Sequence, residues 1–269
     1  MKITKMIVAG NDFLVIDYEN NKDYKSLAKK LLDRRFGIGS DKLIVCKTNP
    51  FELFIYDING NRETLNGNAI CCFSKYLFDN TLLKRNQFDI ISSGKTISVE
   101  IISELPFVTK INLDKPNYSN SMLYLNDRID SFGRIISING LSFPIYPVYL
   151  AGIHTIVYID KSNKDMMLNI AKEISEYKLF DKKTNVSFVE VLDKHNINVM
   201  TYSITDGFNN TLGSGVAASM VVSNKLGYIK SRANCNIEYG KMIVEINKKG
   251  FIFLESMAET LFELNYEEE

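Results

Sequence analysis

The chain has 269 residues, with 32 basic and 32 acidic side chains and 45% hydrophobic residues. This length and composition are typical of one large or two medium-sized globular domains. The balanced charge argues against a nucleic-acid or anionic-membrane partner, and no apolar run is long enough to span a bilayer. The short apolar run at the start does not resemble a signal peptide, so we expect a cytoplasmic protein.

The first half alternates strand and helix patterns. A helix with an apolar stripe that includes Leu27 and Leu31 is predicted after the first strand, and a second helix at 68–78 follows a Gly/Asn-rich turn. The predicted strands are 13–18, 42–46, 52–57 and 96–101.

The second half shows the same succession of patterns. A helix is predicted around Ile170 and Ile174, and a second helix at 216–226 follows another glycine-rich turn. The predicted strands are 155–159, 186–191, 197–204 and 242–246.

The two halves also match in sequence. AGNDFLVIDY in the first half is similar to AGIHTIVYID in the second, TLNGNA to TLGSGV, and SGKTISVEI to YGKMIVEI, at a shift of about 142 to 148 residues. The order of the matches predicts an internal duplication. The predicted domains are 1–117 and 118–269, with the junction within the proline-containing segment 115–147 and the C-terminal tail available to pack on the first domain.

The two glycine-rich loops, 65–69 and 213–216, are the first candidate site. Each precedes a predicted helix, where free N–H groups and the helix dipole favour a carboxylate. A duplicated fold can present two such loops to one ligand. The alternative is that Asn66 and Ser214 are ordinary helix caps.

Several segments then resemble motifs of the diaminopimelate epimerase family. KMIVAGNDFLVID is similar to its opening motif, RRFGIGSD to RxxGIGxD, and YDING followed by LNGNA to FNADG and MCGNG. TNVSFVEV and TLGSG are similar to GVNVxFVEV and TLACG. The resemblance runs from residue 4 to about 250. It implies an α+β fold of two pseudo-symmetric domains, each a mixed or antiparallel sheet or barrel around a central helix, with the cleft between them.

The resemblance implies racemisation of an amino-acid α-carbon without pyridoxal phosphate or any other cofactor. In that family two cysteines at the helix starts exchange the proton, since the helix dipole lowers a thiol pKa. The matching positions here are Asn66 and Ser214. An amide cannot act as a base, and the serine has no neighbouring base in sequence. Cys71 and Cys72 fall inside the predicted helix and are expected to be core residues.

Other positions divide into retained and altered ones. The resemblance implies that the retained positions cradle an amino-acid head group, whereas the altered ones change the acid-base pair and the side-chain end of the substrate site. The implied substrate-binding residues are Asn11, Lys42, Gly67, Asn68, Asn185, Asp206 and Gly215.

Four ionisable residues near these motifs each have two interpretations. Asp57 is either a replacement acid-base group or a turn residue before Asn59-Gly60. Lys42 and Asp206 are either an altered substrate clamp or surface charges. His154 is either a proton-transfer group or a structural residue beside a strand. The four cysteines and two histidines lack metal-ligand spacing, so no metal site is expected.

The sequence therefore predicts an amino-acid racemase, epimerase or related isomerase with altered acid-base residues and an altered, amino-acid-like substrate. The alternative is a catalytically inactive homologue that binds an amino acid or a small peptide-like ligand. An unaltered diaminopimelate epimerase is a third interpretation, which the missing thiols disfavour. A homodimer is implied by the resemblance alone.

Overall fold

A computed structural model of the chain describes residues 1–63, 66–125, 130–160, 162–204, 207–208 and 212–267. Over these ranges the backbone is mostly β-structure with a few helices, none of them long and apolar enough to cross a bilayer. The strands are β1 (Lys2–Val8), β2 (Asn11–Asp17), β3 (Lys42–Thr48), β4 (Phe51–Tyr56), β5 (Arg62–Glu63), β6 (Gln87–Ser92), β7 (Lys95–Glu104), β8 (Phe107–Asn112), β9 (Arg134–Ile138), β10 (Leu141–Tyr149), β11 (Ile153–Tyr158), β12 (Asn185–Val191), β13 (Asn196–Ser203), β14 (Gly207–Phe208), β15 (Arg232–Ile237), β16 (Gly240–Ile246) and β17 (Ile252–Asn265). The helices are α1 (Tyr24–Leu32), α2 (Gly67–Asp79), α3 (Asn120–Leu123), α4 (Lys164–Asn169), α5 (Ala171–Ser175) and α6 (Gly213–Lys225).

The chain divides into two compact units. The first comprises Met1–Asn112 with Glu255–Glu269, and the second comprises Leu113–Leu254. The sequence interpretation had assigned 118–269 to the second repeat and allowed the C-terminal tail to pack on the first domain, whereas the structure places Glu255–Glu269 in the first unit. The physical reason is pairing: β17 bonds to β1 and β8 of the first unit.

In the first unit, eight strands form a closed ring of pairings. β1 pairs with β2 antiparallel, β2 with β3 parallel, β3 with β4 antiparallel and β4 with β6 parallel. β6, β7 and β8 continue as an antiparallel meander, and β17 pairs with both β8 and β1. This closure makes a small barrel and leaves none of these eight strands as an edge.

Helix α2 is the central helix of the first unit. It contacts β1, β2, β3, β4 and β8, and its residues Ile70, Cys72, Phe73 and Leu77 are completely buried. A helix that is apolar on nearly every side is stable only when other elements surround it. The barrel therefore encloses α2, whereas α1 buries a single stripe against the outer side of β2 and β3.

The second unit repeats this order of pairings. β10 pairs with β11 antiparallel, β11 with β12 parallel, β12 with β13 antiparallel, β13 with β15 parallel and β15 with β16 antiparallel. Helix α6 contacts β10–β13, β15 and β16 and is buried on most sides, as α2 is in the first unit. The repeat found in the sequence thus recurs as a repeat of strand pairings.

One predicted helix is divided in the structure. The residues around Ile170 and Ile174 form two short helices, α4 and α5, because Ile170 leaves helical geometry with φ −105° and ψ 15°. Both short helices pack on the second unit's sheet, where Ile174 joins a cluster with Val157 and Phe188. They occupy the place in chain order that α1 holds in the first unit.

Candidate functional site

The amino end of α2 is formed by Asn66, Gly67 and Asn68. Asn66 is the N-cap residue, and its side-chain oxygen accepts a hydrogen bond of 3.1 Å from the Ala69 backbone N–H. The capping interpretation of Asn66 is therefore confirmed. An amide held in this way stabilises the helix start and offers no base.

A chain of amides leads from α2 to β2. Asn68 is 1% exposed, and its Nδ2 donates to Oδ1 of Asn11 over 3.0 Å. Asn11 in turn donates through Nδ2 to Oδ2 of Asp41 over 3.0 Å. These contacts bring two of the retained positions together and orient both amides at the first turn of α2.

An ion network supports this amide chain. Asp12 lies between Lys5, at 2.6 Å, and Arg34, at 2.7 Å, and Arg34 also bonds to Asp41 at 2.8 Å. Burial raises the pKa of Asp12, but the hydrogen bonds from Arg34 and Lys5 outweigh it, so its pKa is lowered. The network links the segment GNDF, which contains Asp12, to the segment RRFGIGSD, which contains Arg34 and Asp41. Both segments therefore contribute to one local structure.

Lys42 and Glu63 form a partly buried ion pair in the same unit. The Lys42 ammonium contacts Oε1 of Glu63, and Lys42 is 6% exposed, so it is not a surface charge. Sequence reasoning did not identify Glu63, although it lies only three residues before Asn66. An acidic residue just before the glycine-rich loop was the one signal that pointed to it.

The pair lies at the end of the barrel where α2 begins. Asn68 bonds to Asn11 at the start of β2, and the Tyr76 hydroxyl bonds to Asp17 at its end, so α2 runs in the direction of β2. β3 is parallel to β2, and Lys42 is its first residue. Alternation along a strand places Lys42 on the face that points to α2, the face that it shares with Cys46.

Asp57 is held in a turn. Its carboxylate accepts hydrogen bonds from the Asn59 and Asn61 backbone N–H groups, at 2.9 and 2.7 Å, and from the Asn61 side chain at 3.1 Å. Both oxygens are therefore engaged in the turn before β5. This pattern is what the turn interpretation of Asp57 predicts.

The amino end of α6 differs from that of α2. Its N-cap is Leu212, which makes no side-chain cap bond, and Ser214 is the second helical residue. The expectation that Ser214 caps the helix is wrong, because the helix begins one residue before it.

Gly215 is required by packing. A Cβ at this position would lie 2.9 Å from Oγ1 of Thr201 and 3.0 Å from Oγ of Ser187, two hydroxyls that bond to each other at 3.1 Å. The helix start therefore approaches β12 and β13 too closely for any side chain. Gly215 therefore permits close contact between the helix and the sheet, independently of any contact with a ligand.

His154 and Asn185 lie side by side on neighbouring strands of the second unit. They are register partners in β11 and β12, and both lie beside Gly152. Asn185 donates to the Ile153 carbonyl at 3.2 Å and accepts from the Ile204 N–H at 3.0 Å. Its amide therefore fixes the ends of three strands.

His154 is completely buried, and neither ring nitrogen makes a well-formed hydrogen bond to any residue that the structure describes. Burial lowers its pKa to about 4, so the imidazole is neutral at pH 7. Tyr158, four residues later on the same face, bonds to Ser223 near the end of α6. Ser187, on parallel β12, lies against Gly215 near the start of α6, so His154 lies at the amino end of that helix.

None of the four cysteines lies in a setting that favours a thiolate. All of them are buried, and burial raises the pKa of Cys71 to about 12 and the pKa values of the others above the usual range of a thiol. Cys71 donates to the Ser256 carbonyl at 3.3 Å. A neutral, buried thiol is a packing group. The remaining candidate, Asp206, lies outside the described residues.

Comparisons with known proteins show which family the chain resembles. No protein-family model matches the chain. A diaminopimelate epimerase of Caldanaerobacter subterraneus subsp. tengcongensis is 30% identical over 97% of this chain and 98% of its own length. The chain belongs to the diaminopimelate epimerase family. A second member of the family, from Alkaliphilus metalliredigens, is 28% identical over 97% of this chain and 95% of its own length.

Solved structures extend the likeness to the wider fold. A hydroxyproline epimerase from Agrobacterium vitis, with bound trans-4-hydroxy-L-proline, has a TM-score of 0.69 at 9% identity and covers 98% of this chain and 91% of its own. A PhzF-family phenazine biosynthesis protein from Bacillus anthracis has a TM-score of 0.68 at 13% identity, over 98% of both chains. The diaminopimelate epimerase family and these proteins share a fold that hosts more than one activity.

Proposed function

We propose that the protein is a cofactor-independent isomerase of an amino acid or a related small acid, in which groups other than cysteine thiols move the proton. The observation that carries the proposal is His154, a buried and neutral imidazole beside Asn185 at the amino end of α6. A neutral imidazole can accept a proton, and it becomes a stronger base when a carboxylate-bearing substrate approaches.

The replacement of both family cysteines is part of this proposal. By the resemblance, Asn66 and Ser214 occupy their positions, at the starts of α2 and α6. Asn66 supplies a capped helix start that suits a carboxylate, and Ser214 supplies a hydroxyl in the first turn of α6. Neither group is a base on its own, so another group must accept the proton from the substrate.

The substrate-binding assignments remain proposals and rest on the same resemblance. Asn11, Gly67 and Asn68 would hold the amino-acid head group through amide and backbone groups, and Lys42, with Glu63 beside it, would face the substrate's charged end. By the same resemblance, Asn185, Asp206 and Gly215, which belong to the second unit, would also bind substrate.

The test is exchange of the α-hydrogen in D₂O. Wild-type protein is incubated with a panel of amino acids and hydroxy acids, and the loss of the α-hydrogen signal is followed by NMR. We expect exchange for at least one compound, and its loss in His154→Gln. His195→Gln is the matched control because His195 is exposed. Absence of exchange above the blank across the panel would overturn the isomerase proposal.

A second candidate function is binding without turnover. It is favoured by the structural use of Asn66 and Asp57, whose side chains are engaged in a helix cap and a turn. This candidate predicts a saturable rise in the melting temperature with an amino acid that is recovered unchanged. Chemical conversion of that ligand would exclude it.

A further inference from the structure

A cavity of about 380 Å³ opens on the face of the second unit's sheet that lies opposite α6, beside α4. Phe188 and Met200 form its apolar floor, and Glu190, Glu238 and Lys164 line its polar side. This volume is within the range of small-molecule sites. The cavity is separate from the groups of the proposed isomerase, since His154 lies on the face that points to α6.

A hydrogen-bonded row of side chains fixes one carboxylate of the cavity. Asn236 donates to Asn198 over 3.1 Å, and Asn198 donates to Oε2 of Glu190 over 2.9 Å. The row crosses three neighbouring strands, β15, β13 and β12. Asn236 therefore orients the amide of Asn198, and this amide holds the Glu190 carboxylate in one place at the edge of the apolar floor.

The first unit contains the equivalent place, and there it is filled by its own side chains. The Tyr18 N–H donates to the Cys46 carbonyl on β3, and the Ile159 N–H donates to the Val189 carbonyl at the same register position on β12. Ile159 is therefore the counterpart of Tyr18. The second unit has a branched aliphatic side chain where the first has an aromatic ring.

The ring of Tyr18 belongs to a small cluster. Its centroid is 5.7 Å from that of Phe54, and the Lys47 ammonium lies 5.7 Å above it. The same ammonium is 3.8 Å from the Glu52 carboxylate. The filled site thus combines an aromatic ring, an ammonium group and a carboxylate.

The strand register shows which residues of the second unit correspond to this cluster. Glu190 pairs with Asn198 as Lys47 pairs with Glu52, and Met200 takes the position of Phe54. The cavity consequently lacks the ring and the ammonium of the first unit, while Glu190 supplies a carboxylate.

We propose that this cavity binds an aromatic amino acid. The ligand's ring occupies the space that Tyr18 fills in the first unit, over Met200 and Phe188, and its ammonium bonds to Glu190. Its carboxylate faces Lys164, which makes no ion pair with any residue that the structure describes. Each of the ligand's three groups then meets a complementary group on the protein.

Calorimetric titration of the full chain tests this proposal with three related compounds. L-Phenylalanine carries the ring, the ammonium and the carboxylate, phenethylamine lacks the carboxylate, and 3-phenylpropionate lacks the ammonium. We expect the first to bind most tightly, the second more weakly, and the third at least roughly tenfold more weakly than the first. Equal binding of all three, or of none at millimolar concentration, would overturn the proposal.

Variants place the binding in the cavity. Ile159→Tyr with Glu190→Lys restores the ring and the ammonium of the first unit and should reduce phenylalanine affinity at least roughly tenfold. Lys164→Gln should bring phenylalanine and phenethylamine to the same affinity. Glu173→Lys, at an exposed helix position, is the charge-matched control for Glu190→Lys. Unchanged phenylalanine binding in the double variant would refute the site. α-Hydrogen exchange should be unaffected by the double variant, so the outcome is independent of the proposed isomerase activity.

Discussion

The amide of Asn66 has two consequences at the start of α2. It satisfies the Ala69 N–H, and it gives the helix start a side chain that cannot become a thiolate. The stability of the helix start and the absence of a thiol at residue 66 therefore both follow from this asparagine.

Replacing Asn66 by alanine removes the cap. We expect the free energy of unfolding to fall by about 1 kcal/mol, since the Ala69 N–H loses its partner. Urea denaturation monitored by circular dichroism measures this. Asn66→Asp is the matched control because aspartate also accepts the bond, and equal losses in both variants would contradict the capping role.

The burial of His154 makes stability depend on pH. Its folded pKa of about 4 lies below the value of 6.5 for a free imidazole, so the unfolded chain binds a proton more readily. The contribution of the neutral His154 to the free energy of unfolding is therefore complete above pH 6.5, and it is lost as the pH falls towards 4. We expect the wild type to lose roughly 2 kcal/mol more than His154→Gln between about pH 7.5 and pH 4.5.

Urea denaturation at both pH values, on wild type and variant, gives the difference. Comparing the two proteins cancels the other groups that titrate in this range, including Asp12 with its lowered pKa. Parallel pH profiles for the two proteins would show that burial does not lower the pKa of His154 in the folded protein.

At the scale of elements, α6 depends on a close contact with β12 and β13. Gly215→Ala places a Cβ within about 3 Å of Thr201 and Ser187, and we expect a loss of about 1 to 3 kcal/mol despite the better helix propensity of alanine. The neighbouring Ser214→Ala is the control. A Gly215→Ala variant as stable as wild type in thermal unfolding would show that the helix start can move away from the sheet.

The central helices could be predicted from sequence because their signals are local. α2 and α6 were placed within three residues of their observed starts, since a glycine-rich turn precedes an apolar run in both. Strands β1 and β17 were not predicted, because they are defined by pairing between residues at opposite ends of the chain, such as Lys2 and Asn265.

Part of the candidate site could not be predicted from the sequence, because it also depends on contacts between residues far apart in the chain. Asn11 and Asn68 could be named from motifs, but their mutual hydrogen bond depends on how α2 enters the barrel. Glu63 could not be assigned to Lys42, since a residue 21 positions away is a partner only when β5 turns back on β4. The burial of His154 likewise depends on what packs around it.

At the scale of the whole molecule, the chain closes its first unit with its last strand. The described residues after Glu255 supply the strand between β1 and β8, so the first barrel is complete only when the chain has passed through the second unit. Folding of the first unit therefore depends on contacts of very long sequence separation.

Ending the chain after Leu254 should open the first barrel. We expect the backbone amides of β1 and β8 to lose protection in hydrogen-exchange mass spectrometry, because each strand loses a partner. Protection in the second unit should persist. A chain ending after Tyr266 retains β17 and serves as the control, and retained protection of β1 in the shorter chain would contradict the closed ring.

The proposed isomerase has no thiolate at the starts of α2 and α6. Titration of the native protein with a thiol-specific reagent across pH 6 to 9 tests it most directly, because all four cysteines are buried with raised pKa values. We predict that none reacts until denaturant is added, and that four then react. A thiol in the folded protein that reacts rapidly near neutral pH would contradict the account.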